Sequence, residues 1–394
     1  MSSLILNDDR KQIIQEIAQT YGTPVYVYFA DEINERIEKV KSIFEGINIL
    51  PTFACKANNN PHIVEHFSRN GFGTDIVSIG EYYVSKRAGV DDQKIVWNGN
   101  GKSRHEIEVL SNCVGYVNID SVEEYERWKE YETDATFFLR VNPDVDPMTH
   151  HHISTGLKKN KFGIPVEEID KILNDKNGPK ISGFHVHIGS QIVDVEPFDE
   201  ALSSVANLSR RYGFSKINIG GGWGIKYEDK ELNLEEYKRK IIPHLEGFEL
   251  ILFELGRYLI APAGLLVATV QYVKRTSHKT FVVVDAGMNT LIRPAMYDAY
   301  HNMIVLTPTE GIAKADVVGP LCESGDLLAR DREIQIPKVG SHVVFENVGA
   351  YGYSMSSNYN SYPRPAEVLV SENGSKITLI RRRETIDDLF RTIV

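Results

Sequence analysis

Cysteine is scarce. The 394 residues contain three, Cys55, Cys113 and Cys322, odd in number and far apart. That excludes a disulfide framework and a CxxC zinc site, so any important cysteine acts as a thiol. Long apolar runs are missing as well: the longest, at 258–273, is broken by Pro262 and Gln271 and falls short of the roughly 18 residues that a membrane span needs. Residues 1–10 have no basic stretch leading into an apolar one, so no secretory signal is expected and the expected compartment is the cytoplasm. There is no run of Lys and Arg, and 54 acidic against 44 basic residues leave a net charge of −10. Such a surface repels nucleic-acid phosphates and anionic membranes alike, which leaves small molecules as the expected ligands. Repeats, low-complexity tracts and Pro/Ser linkers are absent, so the two domains suggested by this length are expected to pack closely.

What the chain does contain is a rhythm. Residues 8–21 read as an amphipathic helix capped by Asn7 or Asp8 and stopped at Gly22, followed by an extended segment at 24–29. Eight short runs rich in β-branched and aromatic residues then end near Lys56, Asp75, Trp97, Ile119, Val141, His187, Ile219 and Glu254. Between them, helical periodicity appears at 62–70, 81–88, 122–132, 166–174, 198–212 and 234–245. The alternation predicts an α/β fold, either a (β/α)8 barrel over 30–261 or an open doubly wound sheet. After 262 the rhythm changes to strands at 265–275, 279–285, 342–348, 367–371 and 376–381. This predicts a β-rich domain of residues 262–394, joined by residues 1–29, with Asn373-Gly374 as a tight primed hairpin turn.

Polar and glycine-rich residues gather at the C-terminal ends of the predicted strands, the active face of a (β/α) barrel. Lys56 there reads as a desolvated amine able to form a Schiff base, or as a snorkelling lysine. Gly220-Gly-Gly-Trp-Gly224 reads as an anion nest or as a tight turn. Asn98-Gly-Asn-Gly-Lys-Ser103 resembles the end of a P-loop, but Val96 stands where that motif needs glycine. His185 and His187 fit a metal pair helped by His150, His151 and His152, an imidazole stacked on a planar cofactor above Ser190, or a satisfied core histidine. Glu254 in Glu254-Leu-Gly-Arg257 needs a cationic partner, either a protonated pyridine nitrogen or Arg257 itself. In the later domain, Cys322 in Cys322-Glu-Ser-Gly-Asp326 reads as a reactive thiol or a buried inert one. Arg293 and Tyr297, four apart around Pro294, converge on one ligand if a helical turn starts there, and otherwise lie on the surface. Tyr351 and Tyr353, among glycines, suit a phosphate or an interface.

Taken in order, Phe53-Ala-Cys-Lys-Ala-Asn58, Asp75-Ile-Val-Ser-Ile-Gly-Glu81, Ser154-Thr-Gly-Leu-Lys-Lys-Asn-Lys-Phe-Gly163, His185-Val-His-Ile-Gly-Ser-Gln191, the glycine nest, Cys322-Glu-Ser-Gly-Asp326 and Gly349-Ala-Tyr-Gly-Tyr-Ser-Met-Ser-Ser-Asn-Tyr-Asn360 resemble the pyridoxal-phosphate decarboxylases of the alanine-racemase-like fold. Among these the likeness is greatest to the diaminopimelate decarboxylases, over about residues 21–389. The resemblance implies the barrel rather than the open sheet, and a homodimer with active sites shared between subunits. It implies that Lys56 carries pyridoxal 5′-phosphate, that Asp75 supports Lys56, and that His187 stacks on the ring. By the same resemblance Glu254 faces the ring nitrogen, and Ser190, Gly220, Gly221, Gly222, Gly256, Arg257 and Tyr351 clamp the cofactor. Cys322 then supplies the proton from the partner subunit.

For the substrate, the resemblance matches Arg257, Arg293, Tyr297, Glu323 and Tyr351 to the positions that grip it. A distal group bearing both a carboxylate and an ammonium suits Arg293 with Glu323, so the expected reaction converts meso-2,6-diaminopimelate to L-lysine and carbon dioxide. Rival readings are a related decarboxylase acting on another amino acid or a conjugate, a metal-dependent barrel hydrolase, and a non-catalytic regulator. One departure from the family is Leu255, where proline is usual.

Overall fold

The computed structural model describes residues 6–142 and 161–394. The chain enters through helix α1 (Asp8–Tyr21), strand β1 (Val25–Phe29) and helix α2 (Ala30–Ile43). The cap of α1 is Asn7, whose side chain accepts from Arg10 N. Eight strands follow: β2 (Ile49–Ala54), β3 (Gly73–Ile76), β4 (Ile95–Trp97), β5 (Tyr116–Ile119), β6 (Thr136–Arg140), β7 (Ile181–His185), β8 (Lys216–Asn218) and β9 (Leu250–Leu255). They pair in parallel in chain order, and β9 returns to β2 with Glu254 opposite Thr52, closing a barrel. Closure excludes the open sheet. The helices expected between them are present, the 122–132 helix only as Val122–Trp128, and a further helix at Arg104–Leu110 has no counterpart among those expected.

Strand periodicity explains the barrel interior. Leu50, Val96, Phe138 and Leu252 form one buried cluster, with Tyr116 and Leu250 packed against it. Side chains two residues apart on a strand face the same way. Thr52, Asn98, Asn118, Arg140 and Glu254 therefore continue this face one layer higher, an apolar floor under a polar ceiling at the strands' C-terminal ends. On the outer face, Phe53 stacks on Phe67 of the helix Pro61–Arg69 with ring centroids 4.2 Å apart.

Beyond the barrel come β10 (Gly264–Arg275), β11 (Thr280–Val284), β12 (Met303–Val305), β13 (Pro308–Val318), β14 (Leu327–Pro337), β15 (His342–Phe345), β16 (Ala366–Ser371) and β17 (Lys376–Arg381). With β1 they form a mixed sheet in the order β14-β13-β11-β10-β1-β16-β17, and β15 pairs with β10 and β12. β1 is antiparallel to β10 and parallel to β16, with Val25 opposite both Val267 and Ala366. Ile14 and Ile17 of α1 cover its apolar face with Val27, Val267 and Val368. The long β13–β14 ladder has no counterpart among the expected strands. The Asn373-Gly374 turn is also wider than a two-residue primed turn: Ser371 opposes Lys376, and Glu372, Asn373 and Gly374 all take positive φ, of 53°, 54° and 96°.

The contacts divide the chain into two compact units, one of Met1–Arg36, Lys226–Asp229 and Leu259–Val394 and the other of Ile37–Ile225 and Lys230–Tyr258. Among the described residues no helix is long and apolar enough to cross a membrane.

A buried ion pair ties the β4 and β5 loops together. The Lys102 side chain is fully buried, 2.9 Å from Glu124 Oε1, and donates to Gly99 O and Asn118 O at 2.7 and 2.8 Å. Removing one partner strands the other's charge, so Lys102→Met is expected to cost about 3–5 kcal/mol in urea unfolding. Adding Glu124→Gln should recover much of that loss; a double variant as unstable as the single one would refute the pairing argument.

Candidate active site

At the rim, β2 runs into Cys55 and Lys56. The Lys56 side chain is 46% exposed, and its Nζ lies 3.9 Å from Oδ2 of the buried Asp75 at the end of β3. The expected desolvation of this amine is thereby corrected: the barrel leaves it half in water and sets a carboxylate beside it. Cys55 points the other way, buried, with Sγ 3.8 Å from Ser85 Oγ.

Glu254 occupies the polar ceiling and is itself buried. Its Oε1 accepts from three amides, Asn218 Nδ2 at 2.7 Å, Asn118 Nδ2 at 2.9 Å and Asn98 Nδ2 at 3.0 Å. Its Oε2 lies 3.4 Å from His185 Nε2, a contact without hydrogen-bond geometry. Burial works against the Glu254 charge, but the proximity of His185 and the amide donors of Asn98 and Asn218 outweigh it and hold the carboxyl well below the usual carboxylate range. Burial lowers His185, against the opposing pull of Glu254. Asp75 differs: burial pushes it up to about 7, against the opposing pull of Lys56 and with a further push from Glu254. Two carboxyl groups joined through Asn98 are thus driven apart in acidity.

The glycine loop sits between the ends of β7 and β9. Gly220 N donates to Asn218 Oδ1 at 3.0 Å and Gly221 N to His187 Nδ1 at 3.2 Å. Two of the three N–H groups expected to make an open nest are therefore already engaged, a correction to that reading. Glycine is demanded by close approach instead: a Cβ on Gly221 would fall 1.6 Å from Glu254 O, and one on Gly220 2.2 Å from Val186 O. Gly256 likewise faces the methyl groups of Ala57 and Ala54. Ser190 Oγ accepts from Arg257 Nη2 at 3.2 Å, so Arg257 turns to the serine and leaves Glu254 to the amides. Burial, with the cations of Lys56 and Arg140, pushes His187 well below its usual value. Leu255 is buried opposite Phe53 in the closing ladder.

In the other unit, Arg293 opens the short helix Arg293–Tyr297 with Pro294 in its first turn. It is buried, which overturns the surface reading. Its guanidinium carbon lies 5.6, 5.8 and 5.9 Å from the ring centroids of Tyr227, Tyr297 and Tyr351. Tyr351 holds a left-handed φ of 58°. Cys322 and Glu323 are exposed on a turn pinned by the buried Asp326, which accepts from Met288 N and Leu321 N at 2.6 and 2.7 Å. The cysteine is therefore not the buried inert thiol that its isolation permitted.

Lys56, Asp75, His187, Ser190, Gly220, Gly221, Gly222, Glu254, Gly256 and Arg257 lie in the barrel unit, and Arg293, Tyr297, Cys322, Glu323 and Tyr351 in the other. Among the described residues no three His, Cys, Asp or Glu gather to hold a metal ion; His150, His151, His152 and most of the 154–163 motif lie outside the described residues. Asn98, Asn118, Asn218 and Tyr227 escaped the sequence reading. The asparagines carried a usable signal, since each ends or interrupts an apolar run (Ile95-Val-Trp-Asn98, Val117-Asn-Ile119, Ile217-Asn-Ile219), where a buried amide must find partners.

Comparison with known proteins gives the family. Residues 30–261 match the family model described as pyridoxal-dependent decarboxylase, pyridoxal binding domain. The diaminopimelate decarboxylase of Aquifex aeolicus is 42% identical, covering 95% of this chain and 92% of the relative. That of Pseudomonas aeruginosa is 40% identical over 96% and 94%. The crystal structure of diaminopimelate decarboxylase from Helicobacter pylori complexed with L-lysine superimposes with a TM-score of 0.90 at 37% identity, over 96% of this chain and 98% of that one.

The raised Asp75 carboxyl has a consequence for stability. An aspartate in an unfolded chain titrates near ~3.9, so between about pH 4 and 7 the folded protein binds the extra proton and is destabilised as pH rises. Relative to wild type, cofactor-free Asp75→Asn should gain melting temperature progressively from pH 4 to 7 and level off above. A pH-independent difference would mean that Asp75 titrates normally.

Proposed function

Since the chain belongs to the pyridoxal-dependent decarboxylase family, we propose that it removes one carboxylate of meso-2,6-diaminopimelate to give L-lysine and carbon dioxide. The observation that carries the reading is Glu254, a buried carboxylate kept ionised at the barrel's polar ceiling with the half-exposed Lys56 at the same rim. These residues fit pyridoxal 5′-phosphate: an aldehyde suits the accessible Lys56 amine, a pyridinium suits the Glu254 charge, and a phosphate suits Arg257 and Ser190 beside the glycine loop. When bound, the cofactor supplies an electron sink for the pair left behind as carbon dioxide departs.

The remaining work falls to the chain. Asp75 steadies the Lys56 amine and exchanges a proton with it. His187, its Nδ1 occupied by Gly221 N, presents a neutral ring face for stacking. Glu254 keeps the ring nitrogen protonated. Gly220, Gly221, Gly222, Gly256 and Tyr351 shape the clamp. Cys322 Sγ delivers the proton that replaces the lost carboxylate, from the partner subunit of a homodimer. Arg293 takes the distal carboxylate through two parallel bonds, helped by Tyr297, and Glu323 takes the distal ammonium. A substrate ending in an ammonium alone, such as ornithine or lysine, would leave buried Arg293 opposing a like charge, which is why diaminopimelate is favoured. The proposed setting is cytoplasmic lysine biosynthesis.

Purified protein should show a visible cofactor band that borohydride removes, with the reduced label on Lys56. Label on another lysine, or no band from folded protein, would sink the cofactor reading. Separately, Arg293→Met should raise KM for diaminopimelate about tenfold or more while leaving the visible band in place. An unchanged preference over lysine and ornithine would overturn the substrate while sparing the cofactor chemistry.

A further inference from the structure

The three asparagines around Glu254 form a sequence of bonds with a direction. Asn218 Oδ1 accepts from Gly220 N, a backbone donor whose sense is fixed. That acceptance turns Asn218 Nδ2 toward Glu254 Oε1 and toward Asn118 Oδ1, at 2.7 and 3.3 Å. With its oxygen so occupied, Asn118 directs Nδ2 to Glu254 Oε1 at 2.9 Å and to Asn98 Oδ1 at 2.7 Å. Asn98 in turn directs Nδ2 to Glu254 Oε1 at 3.0 Å and to Asp75 Oδ1 at 2.6 Å. Each amide thus commits both N–H groups and its oxygen, and reversing any one would set a carbonyl against a carboxylate. One backbone N–H in the glycine loop therefore fixes the orientation of all three amides.

Resting on the cofactor reading above, we propose that Asn98, Asn118 and Asn218 are positioning residues that act as one unit. They fill Glu254 Oε1 with three donors so that Oε2 alone is presented to the cofactor's ring nitrogen, and they bind that carboxylate to Asp75 beside Lys56. Packing alone does not account for the arrangement. An apolar layer of the same volume would fill the barrel, as it does one layer below, whereas three donors on one oxygen are needed only if that oxygen carries charge. The other ionisable groups that act on Glu254 or its neighbours are His185 at 3.4 Å from Oε2, Asp75 through Asn98, Glu81 acting on Asp75, and Lys56, Arg140, Asp120 and His187 around them. None of these replaces the donors on Oε1.

The test is Asn118→Asp, which keeps the shape and exchanges a donor for a carboxyl beside Glu254 Oε1. The two carboxyls would then share a proton. In the holoenzyme the pH profile of the visible band between about pH 5 and 9 should gain a titration step beyond any recorded for wild type in parallel, and the cofactor Kd by equilibrium dialysis should weaken about tenfold, recovering at low pH where the new carboxyl can donate. Turnover should fall in kcat, with KM for diaminopimelate changed less than about threefold, because the distal contacts are untouched. Cofactor-free full-length variant should also lose melting temperature relative to wild type as pH rises from about 4 to 7, since its shared proton is bound only when folded. A folded variant with the wild-type band, Kd and pH profile would overturn the proposal. If Asn118→Asp does not fold, Asn98→Ser takes its place: a Kd weakened about threefold or more supports the chain, and an unchanged one overturns it. Absence of a visible band in wild type would instead refute the cofactor reading, so the two failures are distinguishable.

Discussion

A carboxylate that keeps its charge inside a barrel needs donors in place of water, and Glu254 obtains three on a single oxygen. An isolated buried charge would cost several kcal/mol and neutralise itself. The features around it follow from that constraint. Three strands must end in or beside asparagine. The loop after β8 must come close enough for Gly220 N to orient the first amide, and that approach leaves no room for a Cβ at Gly220 or Gly221. The loop's glycines therefore serve the electrostatics of a carboxylate on the neighbouring strand as much as any anion at the rim.

The same network keeps two nearby carboxyls unlike. Glu254 has donors on one oxygen and stays acidic, whereas Asp75, with one amide donor, gives way to burial and rises to about 7. One kind of group, a carboxyl, is thus held as an anion at Glu254 and raised toward neutrality at Asp75 by unequal solvation. Lys56, half exposed between water and Asp75, keeps the exchangeable proton within reach of solvent.

Much of the barrel was legible because each strand is a short apolar run that stops at a residue too polar to continue it, such as Lys56, Asp75 or Glu254. Periodicity left barrel and open sheet as alternatives, since closure depends on β9 meeting β2, a pairing that it does not encode, and the family resemblance decided for the barrel. The β13–β14 ladder escaped because charged residues interrupt its apolar positions: Ile312 is 71% exposed, and exposed Lys314, Arg330, Asp331 and Glu333 lie among the buried Ala315, Val317, Leu328 and Ile334. Lys56, Glu254 and Arg293 were legible as chemistry. The amide layer was not, because an asparagine in a strand end reads as a turn former until its neighbours in space are known. Lys56 was also misjudged in its surroundings: a residue at a strand end faces the rim, and the rim's depth is set by loops from other strands.

The placement of β1 bears on how the chain comes off the ribosome. Val25–Phe29 is buried at every position, between β10 and β16, and its parallel partner β16 begins only at Ala366. The barrel's strands are complete by Leu255, so they can close while the final part of the sheet has yet to be made. At roughly 5–20 residues per second, the ~340 residues separating Phe29 from Val370 correspond to about 17–70 s of synthesis. Through that interval the Val25-Tyr-Val-Tyr-Phe29 segment is an apolar strand with an open edge, followed by a complete set of barrel strands only once Leu255 has been made, and its protection until β16 emerges falls to α1 or to a chaperone.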